Sequence, residues 1–485
     1  MTAGSALIHL RLTPDTSVAH VPSSYPCQDP RVKTHRIVAV PLVVLVATLA
    51  VACGKEPKGP GPCTAPALDN SGPATAAAGA PLRVVSDSTL PPERLADLAK
   101  QEFPSAPPVD DHGIVLGGTG SDIYPAQAPD EYWMVTDRGP NGQVKGPDGK
   151  VRTFPVPTFD PTLLRVKVNG PALNVLQTIP ITTTDGRPVT GVSNIDGRDE
   201  TPYDLRGEQK LPFNQAGIDS EGMVRTASGE FWVSEEYGPS ILHISATGTV
   251  LARYVPQGEA LPDAGYPVFD TLPGILSKRQ GNRGFESLAI SPDGATLYSM
   301  LQSPLALPDE TEGGKSKAVR LLAVSTQTGK PTAEYVYPLD DVNAFDPSAK
   351  GDESEMKISG MSWYGPNQLL VDERTDEVAK LYVATLDPAG NILGGPYDDT
   401  AHTPPLEQAD LATVKPLAKS LLIDLTSQVQ GLPKKIEGVA VRDPKTLVLA
   451  NDNDLGMVDG IKAFDDKGKQ CTSGVPSRLL VLHLN

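Results

Sequence analysis

The chain has 485 residues and a formal net charge of −17, and aromatic residues make up only 5% of it. This length allows one large domain or two to three domains of ordinary size. The negative charge argues against nucleic acid or an anionic membrane surface as a partner, because both would repel the protein. Frequent Val, Leu and Ile together with 45 Gly and 48 Pro residues favour a β-rich, turn-rich globular protein over a disordered one.

The N-terminal segment has the pattern of an export signal. The stretch from Ile37 to Ala52 is apolar except for Thr48, and basic residues precede it. It is shorter than the roughly 20 residues that span a membrane, but it suits the apolar core of a signal peptide. The segment ends LAVACG, which is similar to a bacterial lipobox in which Cys53 is lipidated and becomes the new N-terminus. Cleavage after Ala52 as a plain secretory signal is the alternative, and both interpretations predict export.

Composition divides the chain into four segments. Residues 1–31 are interpreted as an over-extended N-terminus, 32–52 as the lipoprotein-type signal peptide, 53–81 as a Gly-, Pro- and Ala-rich tether, and 82–485 as the globular domain. Residues 1–52 carry four basic and two acidic residues, so the exported part has 38 basic and 57 acidic residues and a formal charge of −19. Such a charge is typical of cation binding and of high solubility.

Two cysteines remain once Cys27 and Cys53 are assigned to the N-terminal segment. Cys63 and Cys471 lie near opposite ends of the exported chain. In an oxidising compartment the two could form one disulfide between the chain ends. Two unpaired thiols are the alternative.

One β-hairpin pattern recurs along the globular domain. Its clearest copy, IDSEGMVRTASGEFWVSEEYGPSIL, has two apolar stretches around the turn Ala227-Ser228-Gly229. Related copies begin at Gly118, Glu221, Glu286, Gly360 and Glu437. Third strands are predicted at Leu163–Val168, Ile241–Ser245, Val319–Val324, Lys380–Thr385 and Arg478–Leu482, and fourth strands at Asn174–Ile181, Val250–Val255, Ala333–Tyr337 and Ser420–Leu425.

This repeat predicts an all-β fold, a β-propeller with four-stranded blades. Five repeats are readable, and a sixth blade could lie in the long interval after the first hairpin. The last repeat lacks a fourth strand, and Leu82–Asp87 is predicted to supply it, so that an N-terminal strand closes the ring. Loop insertions are expected at Asp340–Lys357 and Gly394–Ala418. A pair of β-sandwiches is the alternative, although that architecture does not require one hairpin to recur.

The ends of the hairpins predict a crowd of polar side chains at one mouth of the central channel. In a propeller, the start of the first strand and the end of the second strand meet at the same mouth. The residues predicted there are Asp137, Glu221, Glu235 or Glu236, Glu286, Gln302, Asp372, Glu437, Asn451 and Asp452.

Carboxylates this close are costly unless a cation or a proton lies between them. Oxygen ligands from several blades suit Ca²⁺, with Mg²⁺ or Mn²⁺ as alternatives. His112, His243, His402 and His483 are not at metal-ligand spacing, which argues against zinc.

Arginines lie beside these acids in the sequence. Arg138 follows Asp137, Arg283 precedes Glu286, and Arg374 closes the second strand of the fourth hairpin. Guanidinium groups next to a metal site predict an anionic substrate such as a phosphate ester. Ordinary surface salt bridges are the alternative interpretation.

Several motifs together resemble a known bacterial family, the "esterase-like activity of phytase" or phytase-like domain proteins. They are Asp137–Asn141, Asp219–Gly222, Phe231–Ser240, Gly284–Ala289, Leu301–Leu305, Ile436–Gly438 and Asn451–Asp454. The resemblance extends from about residue 82 to the C-terminus and implies phosphoester or phosphodiester hydrolysis. It carries over four acids, Glu221, Glu236, Glu286 and Glu437. Ser287 replaces the Gly that usually follows its Glu, and the fourth repeat has Ser359-Gly360 without a Glu, so the acids do not form a complete ring.

The leading hypothesis is an exported, metal-dependent hydrolase of a phosphate ester or related ester. It is predicted to be monomeric, and its only membrane contact is a lipid anchor at the cell envelope. Ca²⁺ is predicted to bind Glu221, Glu286, Glu437 and Asp452. The predicted catalytic residues are Glu236, as general base, and Glu221. A small anionic or ester substrate is predicted to bind Arg138, Arg283 and Arg374. A non-catalytic, calcium-stabilised propeller that binds a ligand or a protein is one alternative, and a lactonase-type esterase is another.

Overall fold

The computed structural model of the chain describes residues 63, 72–98, 110–146, 149–458, 463–465 and 467–485. The predictions for residues 1–52 and for Cys53 lie outside these residues. Within the described part of the chain, no helix is both long enough and apolar enough to cross a membrane.

The described residues form mainly short strands. In chain order these are β1 (Thr75–Ala76), β2 (Leu82–Thr89), β3 (Asp122–Pro125), β4 (Glu131–Val135), β5 (Gly142–Gly146), β6 (Gly149–Thr153), β7 (Thr162–Asn169), β8 (Ala172–Pro180), β9 (Pro202–Tyr203), β10 (Ser220–Arg225), β11 (Phe231–Glu235), β12 (Ser240–Ile244), β13 (Val250–Pro256), β14 (Val268–Leu272), β15 (Phe285–Ile290), β16 (Thr296–Leu301), β17 (Ala318–Ser325), β18 (Pro331–Pro338), β19 (Lys357–Gly365), β20 (Gln368–Arg374), β21 (Ala379–Thr385), β22 (Ala418–Asp424), β23 (Val429–Gln430), β24 (Ile436–Asp443), β25 (Thr446–Asn451) and β26 (Arg478–Leu484).

Helices are short and lie in the connections. The α-helices are α1 (Leu95–Leu98), α2 (Glu310–Gly313), α3 (Val342–Phe345), α4 (Leu411–Val414) and α5 (Leu425–Gln428). Single 3₁₀ turns occur at Gly274–Lys278, Pro347–Ala349, Glu353–Glu355, Pro388–Gly390, Pro396–Asp398, Leu406–Gln408 and Asp454–Gly456. Each predicted loop insertion contains two such turns and one short α-helix.

The strands form a five-bladed propeller. Blade 1 contains β3, β4, β7 and β8; blade 2 contains β10 to β13 with β14 added in parallel; blade 3 contains β15 to β18; and blade 4 contains β19 to β22. Blade 5 contains β24, β25, β26 and β2, which pairs antiparallel with β26 from Leu82↔Leu484 to Thr89↔Arg478. The predicted closure by an N-terminal strand is therefore confirmed.

The first interval does not contain a sixth blade in the residues described. The chain between β8 and β10 contributes only β9, which pairs with β6 in a three-stranded sheet that also contains β5. These strands lie in the insertions that follow β4 and β8, which accounts for the long spacing between the first two repeats.

The innermost strands β3, β10, β15, β19 and β24 surround the central channel and contact one another in sequence. Glycine allows this close approach. A Cβ at Gly222 of β10 would lie 2.5 Å from the backbone nitrogen of Leu288 in β15, and one at Gly360 of β19 would lie 2.3 Å from the carbonyl oxygen of Glu437 in β24. A side chain at either position would separate neighbouring blades and displace the channel residues beside it.

Part of the predicted tether belongs to the folded domain. Strand β1 pairs antiparallel with β23, with Thr75 opposite Gln430 and Ala76 opposite Val429. The folded domain therefore includes residues before Leu82. Cys63 and Cys471 form a disulfide with 5.3 Å between their Cα atoms, which joins this N-terminal region to the last blade.

Candidate active site and family

Backbone bulges direct acidic side chains into the channel in three of the blades. The register of the inner strand shifts between Ser220 and Gly222, between Phe285 and Ser287, and between Ile436 and Gly438. The residues within these shifts are Glu221, Glu286 and Glu437. A bulge adds a residue to one strand and re-aims its side chain, which places all three acids at the same end of the channel.

Blade 4 departs from this arrangement. Its bulge, between Ile358 and Met361, contains Ser359 and Gly360 instead of a glutamate. Its second strand ends at Arg374, whose Nε donates to Ser359 Oγ at 2.7 Å and whose Nη2 pairs with Glu437. The acids therefore form an incomplete ring with a cationic side.

The channel mouth is a strongly polar cavity of about 310 Å³. Its charged lining residues are Asp137, Arg138, Arg152, Asp219, Glu221, Glu236, Arg283, Glu286, Lys357, Arg374, Lys435, Glu437, Asp452 and Asp454, and Ser121, Asn141, Gly281, Asn282 and Gln302 complete the described lining. With every group ionised, the eight carboxylates outnumber the six cationic groups among these lining residues. None of the described lining residues is apolar.

Three carboxylates converge most closely. One oxygen atom each from Asp219, Glu221 and Glu236 lies within 4.8 Å of the others. Asp219 precedes β10 and stands two residues before Glu221, and its carbonyl oxygen accepts a hydrogen bond from the backbone N–H of Glu236 at 2.9 Å. Arg138 lies beside the group, with Nε 3.1 Å from Asp219 Oδ2.

Burial and mutual repulsion favour the protonated forms of these groups. Burial raises the pKa of Glu221 and of Glu236 well above the usual value, and the nearby Glu286 raises both further. Burial and Glu437 raise the pKa of Glu286 to about 8. Glu286 Oε2 is buried and has no hydrogen-bond partner among the described residues. In the absence of a cation, the site therefore holds protons at neutral pH.

These residues fit a hard divalent cation. Clustered carboxylate oxygens, an unpartnered buried oxygen and an excess of negative charge are what Ca²⁺ requires of a protein site. Ser, Gln and Asn oxygens nearby are further ligands of the same class. The cavity offers neither histidine nor cysteine, the ligands that zinc prefers, among its described lining.

The residues predicted to bind metal are divided between two parts of the cavity. Glu221 lies in the convergent group with Asp219 and Glu236, and Glu286 lies next to it. Glu437 is ion-paired with Arg374, and Asp452 Oδ2 lies 3.1 Å from Lys435 Nζ. Binding of one cation by all four of these residues remains a prediction.

Comparison with known proteins places the chain in a family. The Phytase-like family, described as esterase-like activity of phytase, matches residues 114–455. The chain belongs to this family. A protein of Arthroderma benhamiae described as an uncharacterized secreted protein is 32% identical over 277 residues, which are 48% of this chain and 53% of that protein. The chain thus spans about half the length of this relative.

Solved structures similar to this Phytase-like chain include regucalcin, a calcium-binding protein from Agrobacterium tumefaciens, with a TM-score of 0.31 and 11% identity over 75% of this chain and 90% of that one. Aldose sugar dehydrogenase from Streptomyces coelicolor matches with a TM-score of 0.30 and 14% identity over 74% of this chain and 99% of that one.

The three arginines predicted to bind substrate all line the cavity, but they differ in how far they are engaged. Arg283 Nη1 donates to Ser303 Oγ at 2.9 Å and to the carbonyl oxygen of Ser354 at 2.8 Å. Arg374 is held as described above. Arg138 Nη1 is buried without a hydrogen-bond partner among the described residues, and its ion-pair partner Glu200 Oε2 lies 3.7 Å away, beyond hydrogen-bond distance.

Three residues predicted at the mouth do not line the cavity. Glu235 points away from the channel and pairs with Arg253 at 2.5 Å, and both side chains are fully buried. Asp372 is buried and does not line the cavity. Asn451 Oδ1 accepts from the backbone N–H of Arg478 at 2.7 Å and holds the last strand.

Sequence reasoning did not assign Asp219 or Asn282 to the site. The i, i+2 spacing of Asp219 and Glu221 is a signal for the first, since alternate strand residues share a side. Asn282 lies in the turn between Gln280 and Arg283 with a backbone φ of 52°, and its Oδ1 is buried without a hydrogen-bond partner among the described residues. No sequence pattern indicates that orientation.

Proposed function

We propose that this protein is an exported, Ca²⁺-dependent hydrolase of a small, hydrophilic phosphate ester. The observation that carries the proposal is the convergence of Asp219, Glu221 and Glu236 beside Arg138, at a mouth without apolar lining among the described residues. Membership of the Phytase-like family supports esterase-like chemistry.

Asp219, Glu221 and Glu236 are the residues that would hold the cation, with Glu286 next to them. A bound Ca²⁺ supplies Lewis-acid polarisation of a phosphoryl oxygen. Arg138 provides the adjacent cationic donor for a second oxygen of the same anion, because its Nη1 makes no hydrogen bond in the described structure and lies 3.7 Å from Glu200 Oε2. Lys435 and Arg374 are neutralised by Asp452 and Glu437 and shape the opposite wall.

The hydrolysis requires two proton transfers, and a different carboxyl group carries out each of them. Glu236 is positioned by Gln302, whose Nε2 donates to Glu236 Oε1 at 3.3 Å, and in the ionised form that a bound cation favours it would also act as the general base that takes a proton from the attacking water. Glu286, which lines the cavity next to this group, would deliver a proton to the leaving oxygen as the P–O bond breaks. The products are an alcohol and inorganic phosphate, or a phosphomonoester when the substrate is a diester.

The lining limits the substrate to a polar one. An aryl or long-chain acyl group would lie against charged side chains and would desolvate them without compensation. The phosphate group of a phosphorylated hydroxyl compound would pair with the cationic side chains of the cavity. Its hydroxyl groups would hydrogen-bond to the other polar side chains. We further propose that the protein acts as a monomer at the cell envelope, with Cys53 as the site of lipid attachment.

The deciding experiment uses residues 54–485 and compares phosphomonoesters, phosphodiesters, carboxyl esters and lactones with and without Ca²⁺. We expect phosphate release that is lost on chelation and restored by Ca²⁺. Glu221→Gln is expected to lower kcat by at least 1,000-fold, whereas Glu208→Gln, at an exposed loop position, serves as the matched control with unchanged kcat.

Other outcomes of that screen point elsewhere. Inactivity on every substrate together with calcium-dependent melting would replace the hydrolase by a calcium-stabilised binding propeller. Activity confined to lactones would make the protein a lactonase-type esterase. A melting temperature that does not respond to chelation or to added Ca²⁺ would contradict the metal site itself.

Asn282 gives an independent prediction. Asn282→Ala removes an unpartnered polar group at the cavity rim, so kcat/KM is expected to fall about tenfold, the equivalent of about 1.4 kcal/mol for one substrate hydrogen bond. The melting temperature is expected to fall only slightly, because no intramolecular bond to Oδ1 is lost but alanine adopts the left-handed φ of 52° less readily than asparagine. Steady-state kinetics with thermal denaturation measure both, and an unchanged kcat/KM would exclude a substrate contact.

A further inference from the structure

The sheet formed by β5, β6 and β9 supplies side chains to the acidic cavity. In this sheet β5 pairs with β6, and Arg152 of β6 lies opposite Pro202 of β9. Arg152 lines the cavity, and so does Asn141, which immediately precedes β5. The inserted sheet therefore brings a guanidinium group to a site that is otherwise built mainly on the inner strands of the propeller.

Arg152 is held in a fixed orientation. Its Nε donates to Glu200 Oε2 at 2.8 Å, and its Nη1 donates to Asn141 Oδ1 at 2.8 Å. The other oxygen of Glu200 accepts a hydrogen bond from Gln143 Nε2 at 3.4 Å. The Nη2 atom of Arg152 forms no hydrogen bond within the described part of the chain. Arg152 thus keeps one oriented donor for a ligand.

Glu200 joins Arg152 to Arg138. The same atom, Glu200 Oε2, lies 3.7 Å from Arg138 Nη1, so one carboxylate oxygen has a guanidinium group on each side. Burial raises the pKa of Glu200, but Arg152 and Arg138 outweigh this effect and the pKa is lowered. Glu200 is not one of the described lining residues. It therefore holds the two arginines from outside the cavity.

A bound cation leaves this side of the cavity positively charged. Asp219 is the other carboxylate that pairs with Arg138, and under the proposed function it holds Ca²⁺. Glu200 then remains as the single counter-ion of two guanidinium groups. On the opposite wall, Lys435 and Arg374 have carboxylate partners of their own. An anion is therefore expected to bind on the side of Arg138 and Arg152.

The number of positive partners distinguishes phosphate monoesters from diesters. The cation, Arg138 and Arg152 can each contact a separate phosphate oxygen. A monoester has three oxygens that carry no alcohol group, whereas a diester has only two. A guanidinium group suits this contact because it is planar and permanently charged. We propose that Arg152 is a specificity-determining residue that favours monoesters over diesters and that Glu200 is its positioning residue, roles that rest on the proposed function of this cavity.

Steady-state kinetics in saturating Ca²⁺ test this specificity with glycerol phosphate and its methyl diester. Arg152→Gln is expected to lower kcat/KM about 30-fold for the monoester and at most about threefold for the diester, because only the monoester loses a charged hydrogen bond. Lys150→Gln is the matched control. It removes the same charge from an exposed position on the same side of β6 and is expected to change either value less than about twofold.

Calorimetric titration with inorganic phosphate and dimethyl phosphate tests the same residues without turnover. Arg152→Gln is expected to weaken phosphate binding about 30-fold and dimethyl phosphate binding at most about threefold. Glu200→Gln keeps an acceptor for Arg152 Nε but removes a negative charge near the anion, so it is expected to tighten phosphate binding about threefold. Glu200→Ala removes the acceptor and is expected to weaken phosphate binding about tenfold.

The two sides of one salt bridge are thus expected to have opposite effects. Equal weakening of phosphate binding by Arg152→Gln and Glu200→Gln would mean that the pair is only structural and would overturn the proposal. An unchanged preference for phosphate over dimethyl phosphate in Arg152→Gln protein that melts like the wild type would overturn it as well. If the wild type hydrolyses neither ester but its preference for phosphate depends on Arg152, the hydrolase is excluded and the role of Arg152 in selecting the anion is supported.

Discussion

Glu235→Gln is expected to lower the free energy of unfolding by about 3–5 kcal/mol, whereas Glu236→Gln is expected to leave the fold intact. The two residues are adjacent in the sequence but face opposite environments. The carboxylate of Glu235 is fully buried against Arg253, and it also accepts hydrogen bonds from Ser240 Oγ at 2.6 Å and from the backbone N–H of Tyr237 at 3.0 Å. Neutralising it leaves the Arg253 charge buried without its counter-ion.

Glu236 is destabilising in the absence of a cation, because it lies among carboxylates that repel it. Glu236→Gln is therefore expected to match or exceed the wild-type stability in a calcium chelator. It is also expected to lose the stabilisation by Ca²⁺, which for a wild-type site at 100 times its Kd amounts to about 2.7 kcal/mol.

Urea denaturation of both variants, in chelator and in Ca²⁺, measures these effects. Glu208→Gln provides a matched substitution at an exposed loop position and is expected to behave as wild type. A Glu236→Gln protein that still gains stability from Ca²⁺ would show that this carboxylate does not contribute to the cation site. Equal destabilisation by the two substitutions would contradict the orientation of both side chains.

Local patterns were sufficient to predict the fold. The hairpins and the third and fourth strands lie within a few residues of their predicted positions, because alternating apolar residues and Gly- or Asp-containing turns depend on neighbours in sequence. Strand β2 was predictable for a different reason. The C-terminal repeat was one strand short, and a propeller requires that strand to come from the other end of the chain.

The site was harder to predict because it depends on register and on distant partners. Glu235 and Glu236 are adjacent, and which of them faces the channel depends on where β11 ends: Glu235 is still paired with Ser240 of β12, whereas Glu236 follows the strand. The pairing of Asp452 with Lys435 depends on a loop whose backbone is left-handed at Lys435, with a φ of 54°. Asp219 and Glu221 lie at the start of β10, and Glu236 follows the end of β11. The three carboxylates meet only because these two strand ends are neighbours in the sheet.

In the presence of a calcium chelator, the free energy of unfolding is expected to fall as the pH rises from about 5 to about 9. The pKa of Glu286 is raised to about 8, and those of Glu221 and Glu236 are raised as well. Over this range the native protein binds protons that the unfolded chain has already released, since an unfolded glutamate titrates near 4.5. The free energy of unfolding must then decrease as the pH rises, by roughly a few kcal/mol in total.

Calcium is expected to reverse this slope, because a divalent cation replaces the protons that the carboxyls would otherwise bind. The increase in melting temperature on adding Ca²⁺ should therefore be small at pH 5 and several-fold larger at pH 8. Carboxylates with lowered pKa values do not obscure the effect; Asp185, whose pKa is lowered to about 2, loses its contribution only below about pH 4.

Glu286→Gln is the variant that isolates the cause, since it removes the titrating group without removing a member of the convergent trio. Its unfolding free energy in chelator is expected to depend less on pH than that of the wild type, and its stability at pH 8 should be higher. Chemical denaturation between pH 5 and 9 measures both quantities. Identical slopes for the variant and the wild type would mean that Glu286 is already ionised without a cation, and the cavity would then hold its negative charges apart by some means other than proton or metal binding.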